Sequence, residues 1–138
     1  MFEHCLYFNT TSLARQLDRE WTRAFKPFGL TPSQAFMLRV ILDRSPITHT
    51  DLASVLNITK ATCSRTVDGL VKLGFIKREQ ADADGRSFEL IPLRSANAIK
   101  TELHQASGEV TKHIKKIIGN NEFETIVTSL RGIGSAIR

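Results

Sequence analysis

The chain has 138 residues, enough for one domain with a modest core and too few for several. Nineteen Lys and Arg against 14 Asp and Glu leave a net +5, which suits a polyanionic partner without requiring one. No run is apolar for long enough to span a membrane, the first residues lack a basic-then-apolar leader, and Cys5 and Cys63 supply neither metal spacing nor a disulfide framework, so a cytoplasmic protein with no cofactor and no membrane partner is expected.

Taken in chain order, Leu6, Leu13, Leu17, Trp21 and Phe25 form a drifting helical stripe over about residues 3–25, which Lys26-Pro27-Phe28-Gly29 breaks. Thr31-Pro32-Ser33-Gln34 then carries three start signals at once: Thr at the N-cap, Pro at N1 and Gln at N3. Phe36, Met37, Val40 and Ile41 make the apolar face of that helix, and Ser45-Pro46 stops it.

Thr48 and Asp51 fit a second capping box, ahead of a helix with Leu52, Val55 and Leu56 on one face and a small Ala53 where a neighbour must cross closely. Asn57 stands where a tight turn needs a residue tolerant of left-handed backbone, Ile58 is able to plug that turn, and Thr59 is a good cap for the next helix. In that helix Cys63, Val67 and Leu70 recur at spacings of four and three, with Thr66 and Leu73 beside them as the buried face. The opposite face carries Lys60, Ala61, Thr62, Ser64, Arg65 and Asp68, and Gly74 ends the helix. Ile76, Arg78 and Gln80 alternate with Lys77 and Glu79, and Phe88, Leu90 and Pro92 alternate with Ser87, Glu89 and Ile91, so two short strands are expected around a charged tip at residues 81–86.

A long amphipathic helix follows over roughly residues 96–118, carrying Ile99, Leu103, Val110, Ile114 and Ile117 or Ile118, with its cap shifted to Ser95. Gly119-Asn120-Asn121 breaks it, Glu122 and Glu124 sit in the first turn of a last helix, and Ile126, Val127, Leu130 and Ile133 line that helix.

Helix, tight turn, helix and hairpin in this order read as a winged helix-turn-helix, which sets one helix in the major groove of double-stranded DNA and a hairpin beside it. The fold class is therefore mainly α with a small β-hairpin wing. Lys60, Thr62, Ser64 and Arg65, with Ala61 among them, put polar groups and donors of the kind that reach base edges or phosphates on this face; the plainer reading of each is a solvated helix surface. Arg78 and Lys77 are candidate phosphate contacts, Arg86 at the tip is a candidate for the minor groove, and Asp84 is placed to orient Arg86. Acids and bases are nearly balanced over residues 48–95, so DNA binding rests on placement and not on bulk charge.

LASVLNITKATCSRTVDGLVKLGFIKR, the tip DADGRS with Asp84, Arg86 and Ser87 in a D-x-R-S pattern, and the upstream GLTPSQ together resemble the multiple antibiotic resistance regulator (MarR) family of winged-helix regulators along nearly the whole chain. Where that family has Leu-Thr-x-x-Gly leaving the wing, this chain has Pro92-Leu93-Arg94-Ser95-Ala96. The resemblance implies a homodimer, with residues 1–30 as an N-terminal dimerisation helix, 31–93 as the DNA-binding domain and 94–138 as C-terminal dimerisation helices. Intramolecular packing is the plainer account of those terminal helices.

The resemblance also implies an effector pocket between the DNA-binding lobe and the dimer helices, for a small aromatic or amphipathic molecule. Phe8, Trp21, Phe25, Phe28 and Met37 are its candidate lining, with core packing as the alternative role of each. Cys5, in Glu3-His4-Cys5-Leu6, is similar to the N-terminal cysteine of hydroperoxide sensors in the family, and packing is again the alternative. Cys63 falls on the buried face and is expected to be a core residue. The four histidines are expected to be structural or solvated; Glu109 and His113 are four apart but do not make a metal site. No nucleophile elbow, phosphate-binding Gly loop or H-E-x-x-H is present, so an enzyme is not expected. The expected function is a repressor of a pseudo-palindromic promoter site. An effector-independent architectural DNA-binding protein and a protein-interaction module are the rival classes.

Overall fold

A computed structural model describes residues 1–81 and 87–138; Asp84 and Arg86 lie outside the described residues. Helix α1 (Leu6–Phe25) leads through a 3-10 turn (Lys26–Phe28) to α2 (Pro32–Arg44), then β1 (Ile47–Thr48), α3 (His49–Leu56), α4 (Lys60–Lys72), β2 (Ile76–Gln80), β3 (Phe88–Pro92), α5 (Arg94–Ile118) and α6 (Asn120–Ile137). The three strands form one antiparallel sheet in the order β1-β3-β2, with Ile47 opposite Leu90 and Arg78 opposite Leu90 from the other side. Helices with a small hairpin sheet behind a helix-turn-helix make this a winged helix-turn-helix.

The helix starts follow their caps. Thr31 accepts from the Gln34 N–H while the Gln34 side chain accepts from the Thr31 N–H, a complete capping box. Thr48 accepts from the Asp51 N–H at 3.1 Å, with no reciprocal bond to the Asp51 carboxylate, so only half of the expected box forms. Thr59 accepts from the Thr62 N–H at 3.1 Å. Asn57 closes α3 at φ 56°, ψ 44°, the left-handed conformation its position predicted, and the Ile58 N–H reaches back to the Ala53 carbonyl.

One core holds the fold together. Phe25 from the end of α1, Met37, Leu38 and Ile41 from α2, Leu52 from α3, Cys63, Val67 and Leu70 from α4, Ile76 and Leu90 from the sheet and Leu103 from α5 are all essentially inaccessible to solvent. Gly69 faces α2, where a Cβ would come within 2.9 Å of the Gln34 side-chain nitrogen and displace the end of that flexible side chain. Trp21 donates its indole N–H to Ser107 Oγ at 3.0 Å, tying α1 to α5 at a buried hydroxyl.

Several expectations need correction. Helix α1 begins at Leu6, where Cys5 is the N-cap and its sulfur accepts from the Phe8 N–H at 3.5 Å. Leu73 is 49% exposed: it lies at the C-cap of α4, where the chain turns away through Gly74, and so misses the core side of the helix. Ser95 does not cap α5; the helix starts at Arg94 behind Leu93, and the Ser95 hydroxyl instead donates to the Gly74 carbonyl at 2.6 Å, pinning α5 to the end of α4. Gly119 alone makes the corner before α6, at φ 90°, and Asn120 and Asn121 are already helical. Glu124 is therefore past the first turn and pairs instead with Lys115 of α5 at 3.7 Å. Strand β1 was not anticipated, since two residues are too few for alternation to register.

Candidate nucleic-acid interface

The outer face of α4 is built from its cap outward. Lys60, Ala61, Ser64, Arg65 and Asp68 are exposed and Thr62 is half-buried, while Cys63, Val67 and Leu70 hold the other side in the core. Thr62 organises this face: its Oγ1 accepts from the Thr59 hydroxyl at 3.0 Å and from Arg65 Nη2 at 3.3 Å. The Arg65 guanidinium is thereby laid back along the first turn. Among the described residues, neither Lys60 nor Arg65 meets a carboxylate within ion-pairing distance, so both charges remain available to an anion.

Asp68 behaves differently. Its carboxylate pairs with the Arg78 guanidinium, bridging α4 to β2. Arg78, a candidate phosphate contact, is thus also the strut that sets the wing base against the recognition helix. Lys77 lies 3.7 Å from Glu79 on the same strand face, an exposed pair worth at most about 1 kcal/mol. Arg86 and Asp84 lie outside the described residues.

His49 belongs to this region, and reading the sequence alone missed it. Placed at the start of α3, it lines a hollow of about 530 Å³ with Thr48, Thr50, Arg78, Ser87 and Phe88. Burial and the neighbouring Arg78 guanidinium push its pKa below the ordinary imidazole value, and Asp68 pulls it partway back. The spacing of the histidines along the chain carries no trace of this, because Arg78 reaches His49 only through the sheet. Cys63 is buried, its sulfur 3.7 Å from the His49 carbonyl, and burial raises its thiol pKa.

The five candidate effector residues do not converge on one hollow. Phe25 and Met37 are fully buried, Phe28 packs against the core, Trp21 is engaged with Ser107, and Phe8 stacks on Phe2 near the start of α1 with ring centroids 5.2 Å apart. Two hollows lie along α2 instead. One, of about 390 Å³, runs under the recognition helix between Phe36, Met37, Val55, Ile58, Thr62 and Thr66. The other, of about 530 Å³, opens between α2 and α5 and brings Arg39, Asp43, Arg44, Lys100 and His104 around Phe36 and Val40. There Arg39 donates to His104 Nδ1 at 3.0 Å and lies 5.2 Å from the centre of the Phe36 ring. Cys5 is exposed. Among the described residues, no helix is long and apolar enough to cross a membrane.

A family model described as MarR family matches residues 28–87. The HTH-type transcriptional regulator MgrA of Staphylococcus aureus is 27% identical over 106 residues, which cover 76% of this chain and 72% of that protein. Among solved structures, a MepR–DNA complex from S. aureus superimposes with a TM-score of 0.88 at 17% identity, covering 99% of this chain and 100% of the other. CouR, a transcriptional repressor bound to a 23-mer DNA duplex, does so at 0.83 and 19% identity, covering 96% and 94%. At such identities the two structural likenesses are likenesses of fold.

Proposed function

Because the chain belongs to the MarR family of transcriptional regulators, we propose that it acts as a homodimeric repressor that binds a pseudo-palindromic promoter site and yields to a small amphipathic effector. The observation that carries this reading is the outer face of α4, where Thr62 holds Arg65 in line beside Lys60 and no described carboxylate neutralises either. Lys60, Ala61, Thr62, Ser64 and Arg65 are the groove contacts in this reading, Arg78 a phosphate contact, and Arg86, oriented by Asp84, the minor-groove contact. The duplexes in the MepR and CouR structures support such docking.

Residues 1–30 and 94–138 form the dimer lobe around residues 31–93. What favours a dimer is that no residue of α6 is fully buried within the chain, and Ile126, Val127, Leu130 and Ile133 are each 37–47% exposed. Two recognition helices about 34–36 Å apart would then meet successive major grooves. For the effector, the hollow between α2 and α5 has the better chemistry: Arg39 and Lys100 over an apolar floor suit a small aromatic or aliphatic carboxylate, while Asp43 in the same lining is paired with Arg44 at 3.9 Å. Partial burial lowers the pKa of Arg39 from its ordinary value, a desolvation cost that an incoming anion would offset.

The test is binding to DNA from the upstream region of the protein's own gene and to a scrambled duplex across a salt series, with Arg65→Ala and Arg86→Ala alongside. Preference for the native duplex that both substitutions abolish is the expected result. Equal and steeply salt-dependent binding to both duplexes would instead favour an architectural role, and no binding a protein-interaction module. A second reading, thiol sensing, is favoured by the exposure of Cys5 at the N-cap of α1. It requires that peroxide release DNA from the wild type and not from Cys5→Ser.

A further inference from the structure

We propose that the hollow between the start of α3 and the base of the wing is a seat for one backbone phosphate of the duplex, gripped by Arg78 and His49, and that His49 takes up a proton from solvent as the phosphate enters. The inference rests on the DNA-binding reading and deepens it.

The donors converge from separate elements. Arg78 comes from β2, His49 and the Thr50 hydroxyl from α3, and Thr48 from β1, and no described carboxylate lines the hollow. Asp68 is nearby on α4, but its carboxylate is engaged with one end of the Arg78 guanidinium, which has five N–H donors and can bridge to a second oxyanion. The seat is also continuous with the recognition face: Arg65 and Asp68 are one turn apart on α4, Asp68 holds Arg78, and Arg78 borders His49. DNA seated on Arg65 would therefore run its backbone past this hollow.

Empty, the hollow disfavours a charged imidazole, because His49 is partly buried beside a guanidinium. A phosphate reverses the local sign and supplies an acceptor. The other charged groups around His49 do not take that role. Asp68 is spent on Arg78; Glu89 lies on β3 in register with Thr48; Asp51, on the same helix, shares a different hollow with Arg44 of α2. Proton uptake makes binding tighter as pH falls. The gain is complete below the imidazole pKa of the free protein, which burial and Arg78 depress, and is lost as pH rises through the higher pKa of the complex. Each unit by which the phosphate raises that pKa is about tenfold in affinity.

The experiment follows the His49 ring by NMR from roughly pH 5 to 8, in the free protein and saturated with a mixed-sequence duplex at low salt. Duplex affinity is measured over the same range for the wild type, His49→Gln and Arg78→Gln. The expected results are an upward move of the His49 titration on the duplex, no such move in Arg78→Gln, and a flattened affinity profile in His49→Gln. A duplex that binds while His49 titrates as before, or a His49→Gln protein with the wild-type profile, overturns the seat and leaves DNA binding standing. Failure of the wild type to bind any duplex at any pH overturns both. Inorganic phosphate at matched ionic strength should leave the titration where chloride leaves it; a full shift with phosphate alone would mean a free-anion site and overturn the assignment to DNA. Should His49→Gln fail to fold, the wild-type titration still decides.

Discussion

The segment from α2 to β3 and the terminal helices are made from similar residues in similar patterns, yet they end in different states. Between Phe25 and Ala96 the apolar positions of α2, α3, α4 and the sheet close on one another. In α6 no residue is buried, Ile137 is 81% exposed, and at the other end Leu6 is 64% exposed. Both regions carry an apolar stripe of helical period, but the stripe of α6 and the first turns of α1 are left partly uncovered within the chain. Amphipathicity tells which face needs cover; it does not say what covers it.

Breaking that contrast should produce the largest effect. If the uncovered faces are a shared core, Ile126→Glu with Leu130→Glu should give a monomer by analytical ultracentrifugation. Affinity for a palindromic duplex should then fall on the order of 10² to 10⁴-fold, because bivalent engagement is lost. Unchanged mass and unchanged affinity would mean that those faces are simply solvated.

In the covered region the effect should appear in stability. Leu70→Ala should cost about 2–5 kcal/mol in urea unfolding, since Leu70 is fully buried on the core side of the recognition helix. Ile137→Ala, at the other extreme of exposure, should cost almost nothing. Two equal losses would erase the distinction drawn between the regions.

Smaller effects sharpen the picture at the DNA face. Arg65→Ala should weaken operator binding by about 1–3 kcal/mol without moving the unfolding midpoint. Thr59→Ala should do the reverse, costing about 1 kcal/mol of stability through the lost cap and only secondarily loosening Thr62. Finally, the two cysteines should separate in rate: a thiol reagent should label Cys5 in the folded protein, and Cys63 only at the rate of unfolding, because burial hides it and raises its thiol pKa. Labelling of both at one rate would show that the α3–α4 core opens readily.

Local grammar made much of this legible in advance. Thr31, Thr48, Asn57, Thr59 and Gly74 act within a few residues of themselves, so a short window suffices to place the helix ends around the turn. The recognition face was legible for the same reason, since Cys63, Val67 and Leu70 assign the opposite side to solvent once they are buried. Two of the misplaced features depend on partners distant in the chain. Ser95 resembled a cap until Gly74 offered a carbonyl 2.6 Å away, and β1 exists only because Leu90 and Glu89 pair with it.

Sequence by itself thus determined the order of the helices and of the two hairpin strands, most of the helix caps, and the buried side of the helices that meet the core. Tertiary structure alone decided that Arg78 would spend part of its guanidinium on Asp68, that His49 would border that pair, and that cations from α2 and α5 would gather around Phe36. Periodicity and capping are short-range, encoded by residues within a turn or two of one another. Electrostatic neighbourhoods are set by which surfaces the core draws together, and residues 49, 68 and 78 are neighbours because Leu70, Ile76 and Leu90 pack α4 and the sheet into one core.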